Sequence, residues 1–231
     1  MAAVRSLRDV VRRKVLRSLK KSEIAVVGVT GRNGAGKSSK VAPAIKLIAQ
    51  ESGVLAHILP LDAFLILSSA DRAAWITEGD QVGVEQSTRR RNELNWWDFN
   101  KLDAHIQNWK NGNPIHLKQI RNPADGGRLT GELLVPAPEK RAVLILEGKG
   151  VAHLDYHDVL FFVHAPSYVR LERLRRRDTY RTPEETEARF QITERFEEWY
   201  FAQHKDRIHF WVDNSSQDKD LLVSTDLEEI L

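Results

Sequence analysis

The octapeptide Gly31-Arg32-Asn33-Gly34-Ala35-Gly36-Lys37-Ser38 constrains this chain more than any other part of it. It satisfies the spacing G-x-x-x-x-G-K-[S/T], and it stands between an apolar run, 23–29, and a segment of helical periodicity, 38–50. A β-branched run without polar alternation marks a strand covered on both faces, as in a parallel sheet. Glycines then let the backbone turn so that successive N–H groups converge, and the start of the next helix adds its partial positive charge. Such a loop cradles phosphate. Lys37 is expected to reach the β- and γ-phosphates of a nucleoside triphosphate, and the Ser38 hydroxyl to ligate magnesium. Ser39 adjoins them in the nucleotide-binding set as a helix-turn residue.

The rest of the chain alternates strands and helices. Apolar residues at three- and four-residue steps predict an amphipathic helix over 1–21, packed against the domain rather than removed as a transit peptide. Pro43 fits the helix after the loop only in its first turn. A second strand over 55–59 ends near Asp62, completing a βαβ unit. Residues 63–95 are polar with no sustained period and read as an irregular or partly helical excursion over the sheet edge. A helix follows over 99–109, stopped by Asn111-Gly112-Asn113-Pro114, and 122–138 read as loop around Pro123 and Gly126-Gly127. Strands over 142–146, 158–164 and 208–212, with helices from 167 to about 177 and on to about 204, complete the pattern. The expectation is a single domain, 1–231: a doubly wound, mainly parallel α/β sheet of P-loop NTPase type with helices on both faces and a small Arg-rich lid at about 170–185. The excursion, about 63–138, is its substrate side.

Composition removes several alternatives. With no cysteine, thiolate metal sites, disulfides and cysteine nucleophiles are excluded. No apolar run approaches the roughly 20 residues of a membrane-spanning helix, so no membrane partner is expected and the cytoplasm is the default. The 35 Lys+Arg nearly balance the 32 Asp+Glu, and no stacking-plus-basic module is present, so no nucleic-acid partner is expected. A homo-oligomer is left open. The three His at 153, 157 and 164 lack metal-ligand spacing and read as structural.

Local clusters carry the remaining chemistry. A carboxylate at Asp62, just after a strand end, can accept a proton from a substrate hydroxyl or hold a water on magnesium, or simply cap a turn. Glu147 ends the run Val143-Leu144-Ile145-Leu146, where a second carboxylate can serve the metal or stand on the surface. The arginines of 170–181 recur at helical spacing, and guanidinium groups there can close over a triphosphate; Arg173, Arg177 and Arg181 are the candidates. Trp96-Trp97 beside Asp98 suit either a base pocket or the core.

In the order of these features the chain resembles the uridine kinase and phosphoribulokinase family of P-loop kinases over most of 23–213. Leu59-Pro60-Leu61-Asp62-Ala63-Phe64 looks like that family's strand followed by its general-base aspartate and an aromatic. Leu144-Ile145-Leu146-Glu147-Gly148 resembles its strand ending in Glu-Gly, and Val169-Arg170-Leu171 through Arg177-Asp178 its lid. Trp97-Asp98-Phe99, the Gly112 turn and Arg128 look like its substrate-side segment, and the position of its ribose-binding aspartate falls near Asn92-Glu93. The resemblance implies ATP and Mg²⁺ as cofactors, a small-molecule acceptor with a primary hydroxyl, and Asn92, Asp98 and Arg128 beside Asp62 on the acceptor. It departs at the loop, which reads Arg-Asn-Gly-Ala between its outer glycines. It departs again at Ile120-Arg121-Asn122-Pro123 and Asp125-Gly126-Gly127, where the family's pyrimidine-binding aromatic and histidine have no counterpart. A nucleoside is the first acceptor to expect, and a sugar, glycerate or pantothenate-type alcohol the second. A P-loop ATPase or switch protein is the third reading.

Overall fold

The computed structural model describes residues 4–19, 23–179, 181–216 and 220–228. The ends of the expected N-terminal helix, 1–3 and 20–21, and Tyr180 in the expected lid lie outside them. The described chain runs β1 (Arg5–Ser6), α1 (7–18), β2 (Ile24–Gly31), α2 (37–51), β3 (Leu55–Pro60), α3 (Ser69–Val82), α4 (Val84–Arg91) and α5 (Phe99–Lys110). It continues with β4 (Ile115–Asn122), β5 (Arg128–Val135), β6 (Ala142–Glu147), β7 (Val159–His164), α6 (Ser167–Arg177), α7 (Pro183–His204), β8 (Phe210–Asp213) and β9 (Leu222–Ser224). These elements pack as two compact units, 1–58 with 140–231, and 59–139.

The main sheet has the order β1-β9-β8-β7-β2-β6-β3. β2 lies parallel to both β6 and β7, and β7 parallel to β8, whereas β9 runs antiparallel between β8 and β1. This is the mainly parallel α/β sheet expected, with β1 and β9 added at one edge, too short to leave a sequence pattern. Successive side chains of a strand point to opposite faces, and both faces are used. Val27, Val29, Val143, Ile145, Phe161 and Val163 share a core with Leu7, Val10, Val11 and Val15 of α1 and Ile45 and Ile48 of α2. From the other face Phe162 meets Phe201 of α7 edge-on at 4.8 Å and Trp211 at 4.6 Å. The N-terminal helix is therefore a packed element, as its apolar stripe predicts.

Pro43 stands in the first turn of the regular α-helix from Ala42, as expected, with a widened turn before it. The helix begins at Lys37 with a widened turn, in which the Val41 N–H donates to Gly36 O at 3.1 Å and the Ala42 N–H to Lys37 O. The ring, which lacks a donor, thus falls just after the widened turn, among the first residues of the regular helix.

The second unit departs most from expectation. Within 63–95, read as irregular or partly helical, two helices take up most of the length: Ser68 caps α3 by accepting the Asp71 N–H at 3.1 Å, and Gly83 (φ 142°) separates α3 from α4. Their few apolar positions had hidden the period. The loop reading of 122–138 is also corrected, because β5 pairs antiparallel with β4 as a hairpin. Its strand alternates exposed and half-buried residues and turns through Gly126 and Gly127, both at positive φ (60° and 81°), so glycine marked a tight turn rather than a long loop. Ile115, Leu117 and Val135 bury the hairpin's inner face, and Trp109 of α5 donates from Nε1 to Pro136 O at 2.8 Å. Among the described residues no helix is long and apolar enough to cross a membrane.

Trp109 is fully buried and is the largest side chain tying α5 to the hairpin. Trp109→Ala is expected to lower unfolding free energy by roughly 3–5 kcal/mol, measured by urea titration, with Trp109→Phe losing less.

Candidate functional site

Parallel register determines what surrounds the loop. Val29 pairs with Glu147 and Gly31 with Val163, so β2 delivers its last residues between the ends of β6 and β7. Three glycines of the loop lie at positive φ: Gly31 (145°), Gly34 (77°) and Gly36 (95°). None has room for a side chain. A Cβ would come within 2.5 Å of Val163 O at Gly31, 2.6 Å of Arg170 O at Gly34, and 2.2 Å of Asn214 Nδ2 at Gly36. Ala35 closes a turn onto Arg32 O at 3.2 Å, and the Lys37 ammonium, largely buried, donates to Gly31 O at 2.8 Å and Arg32 O at 3.0 Å. A lysine folded back onto the loop's own carbonyls can exchange these partners for phosphate oxygens.

The Ser38 hydroxyl donates to Glu147 Oε2 at 2.8 Å, so the two expected metal-side residues meet directly. A hydroxyl and a carboxylate in contact at the start of a helix, one exposed and one buried, fit magnesium, which takes oxygen ligands and keeps waters and phosphate in its shell. Ser39 is exposed in the first turn of α2.

The arginines divide into distinct roles. Arg173 braces the loop: Nη2 donates to Asn214 O at 2.8 Å, and Nη1 approaches Gly34 O and Ala35 O at 3.4 Å. Asn214, just past β8, donates from Nδ2 to Ala35 O at 2.7 Å and from its backbone to His164 O at 2.9 Å. A depression lined by Val169, Glu172, Arg173, Arg176, Ser215 and Ser216 lies on this flank. Arg177 and Arg181 both bind Asp178, at 2.7 and 2.8 Å, where α6 gives way to the capping box Thr182–Glu185 that starts α7. Asp178 is buried, which by itself would raise its carboxyl, yet Arg177, Arg181 and Arg189 hold it below the ordinary carboxylate range. Arg170, grouped with the lid in sequence, is buried and binds Glu194 with both terminal nitrogens at 2.7 Å.

In the second unit, Asp62 is exposed in the single turn (Leu61–Phe64) directly after β3. Arg121 of β4 stands with Nη1 4.0 Å from Asp62 Oδ2. The other residues assigned to this side have local partners: Asp98 caps α5 by accepting the Lys101 N–H at 2.8 Å, and Asn92 accepts from Leu94 N at 3.1 Å. Arg128 is exposed, 3.7 Å from Asp125. Sequence reasoning missed Arg121, Asn214, Glu194 and Glu197. The two glutamates could have been noticed, since a pair spaced i, i+3 lies among the apolar positions Phe190, Tyr200 and Phe201 of α7.

No protein-family model matches the sequence, and no curated protein sequence does. Solved structures do resemble the fold. D-glycerate 3-kinase from Cryptococcus neoformans aligns with a TM-score of 0.62 at 10% identity, over 94% of this chain and 97% of that one. Phosphoribulokinase from Rhodobacter sphaeroides gives 0.58 at 12% identity, over 83% and 70%. A possible uridine kinase from Bacillus stearothermophilus gives 0.54 at 14% identity, over 87% and 95%. At these identities the likeness is one of fold.

Gly36 tests the loop most directly, because a methyl group there meets both a left-handed backbone and Asn214. Gly36→Ala is expected to weaken ATP binding by roughly 5- to 150-fold in calorimetry, through strain of order 1–3 kcal/mol; Gly53→Ala, at φ 71° with nothing within 4 Å, should leave affinity unchanged.

Proposed function

We propose that this protein, whose fold is that of P-loop kinases of small molecules, transfers the γ-phosphoryl group of ATP to a hydroxyl of a small acceptor. One observation carries the reading: Ser38 meets Glu147 at the mouth of a shaped phosphate loop, in a chain that places a further carboxylate, Asp62, directly after the next strand. A loop and metal pair alone bind a nucleotide. A carboxylate after the strand that follows in sequence supplies what transfer needs in addition, a group that takes the acceptor's proton.

In this mechanism the acceptor oxygen forms a bond to the γ-phosphorus as the bond to the β,γ-bridging oxygen breaks, and ADP leaves. Asp62 receives the hydroxyl proton. Lys37 turns from Gly31 O and Arg32 O to the phosphate oxygens, and the loop N–H groups of 34–38 bind the β-phosphate. Ser38 and Glu147 would hold magnesium, which when bound would neutralise phosphate charge. Arg173 keeps the loop carbonyls in place from the flank where we put the nucleobase, at the depression beside Ser215. Arg177 and Arg181, now closed on Asp178, are the arginines we assign to the transferring group. A cytoplasmic protein, with ATP at hand, suits this chemistry.

For the acceptor, the sequence puts a nucleoside first. One structural observation favours the second class, an acidic alcohol of the glycerate type. Arg121 donates from Nε to Ser69 Oγ at 3.4 Å, and among the described residues neither of its terminal nitrogens makes a hydrogen bond. It is presented by an irregular strand, with register shifts on both sides of Ile120 and Gln119 at φ 56°, a conformation costly for a residue with a side chain. A guanidinium held next to the base suits an acceptor that carries a carboxylate or phosphate.

Asp62→Asn is expected to lower kcat by roughly 10²–10⁴ with the Kd for ATP unchanged; unchanged turnover removes Asp62 as base. In a panel of nucleosides, sugars and hydroxy acids, acceptor-dependent ADP release is expected, and hydrolysis indifferent to every acceptor would favour the ATPase reading. Arg121→Gln is expected to raise KM for an acidic acceptor by about tenfold or more while leaving KM for ATP unaltered, measured by steady-state kinetics.

A further inference from the structure

Asn33, the third residue of the loop, is held at both its backbone groups by side chains with no part in phosphate chemistry. Its N–H donates to Glu197 Oε1 at 2.9 Å, and Arg170 Nη1 approaches its carbonyl at 3.4 Å. Glu197 is wholly buried in the middle of α7. Its Oε1 also lies 3.2 Å from the buried Lys149 ammonium, whose nitrogen stands 5.5 Å above the Phe196 ring. Its Oε2 is 3.8 Å from Arg170 Nη1 and has no hydrogen bond among the described residues. Arg170 is fixed in turn by Glu194 and by Ala165 O, to which Nε donates at 3.0 Å, and Arg32 reaches the same Glu194 at 3.4 Å.

A buried carboxylate with two cations is an expensive way to fill a core, and apolar residues of like volume stabilise a fold as well or better. Its justification lies in what it touches. A loop with glycine at three of its first six positions has many backbone conformations to lose, and a ligand that must order it binds more weakly for that reason. A charged acceptor on one loop N–H is a strong and directional restraint.

We propose that Glu197 is a positioning residue of the phosphate loop: by taking the Asn33 N–H while Lys149 and Arg170 balance its charge, it holds the loop in its phosphate-ready form before nucleotide arrives. The inference rests on phosphate binding by the loop and not on transfer to an acceptor. Burial pushes the Glu197 carboxyl up, against the pull of Lys149, Lys37 and the Asn33 N–H. Glutamine, of the same shape, is the near replacement, since it keeps an oxygen for that N–H.

The test reads ATP affinity by calorimetry, well below each variant's melting temperature. Glu197→Ala should raise the Kd about tenfold, the worth of one charge-assisted hydrogen bond, and Glu197→Gln should restore it to within about threefold of the parent. Phe201→Ala, one turn further along α7 and packed on Phe162, should lower the melting temperature yet leave the Kd unaltered. The inference fails if Glu197→Ala binds ATP like the parent protein, or if Phe201→Ala weakens binding equally. Hydrogen exchange on the unaltered, nucleotide-free protein stands even if the variants do not fold: the Asn33 amide should be protected, and exchange at the rate of an open loop overturns the idea. Because no acceptor is needed, absence of transfer would count against the proposed activity and not against this role of Glu197.

Discussion

A phosphate loop can present its N–H groups only if its backbone is gripped where no side chain can intervene. Here the grip comes from three sides at once: the Val163 carbonyl of β7 under Gly31, the Arg170 carbonyl of α6 against Gly34, and the Asn214 amide beyond β8 over Gly36. These contacts join the central strand to its parallel neighbours, to the arginine-rich helix and to the chain after β8. Glycine is required at each, for space as much as for φ. The sheet register places Glu147 opposite Val29 and so within reach of Ser38, and the metal-side pair follows from the same packing.

What the sequence disclosed, and what it concealed, divides along burial. Strands β2, β6 and β7 are buried on both faces and were readable as short, mainly apolar runs without polar alternation. The helix over 37–51 was readable from Val41, Ile45 and Ile48, and its position after the strand made the loop's chemistry legible as well. The second unit is thinner: α3 buries only Arg72 and Gly79, α4 buries nothing, and β5 half-buries alternate residues and fully buries only Val135. A segment with so little apolar surface has little period to detect, and glycines at 126 and 127 suggested a loop where they form a turn. The expected substrate-side polar residues were chosen by type, but Asp98 and Asn92 stand where short polar side chains are also favoured for capping, and sequence cannot separate those two uses.

The same ambiguity runs through the arginines. Six lie between 170 and 181 and look alike in one dimension. In three dimensions Arg170 is interior, Arg173 is a brace, and Arg177 and Arg181 share one buried aspartate. Helical spacing alone could not make this division, because it depends on which face meets the loop and on Asp178 at the helix end. Guanidinium groups are versatile enough to serve as core, strut and helix-end partner of a buried carboxylate within one short segment.

The ion cluster at the back of the loop also bears on how the site responds to heat. Charged groups lose part of their hydration advantage as temperature rises, so the cost of keeping Lys149, Glu197, Arg170 and Glu194 out of water falls on warming. The apolar layers of the sheet behave otherwise, since their driving force levels off. Support for the phosphate loop should therefore persist close to the temperature at which the surrounding unit melts.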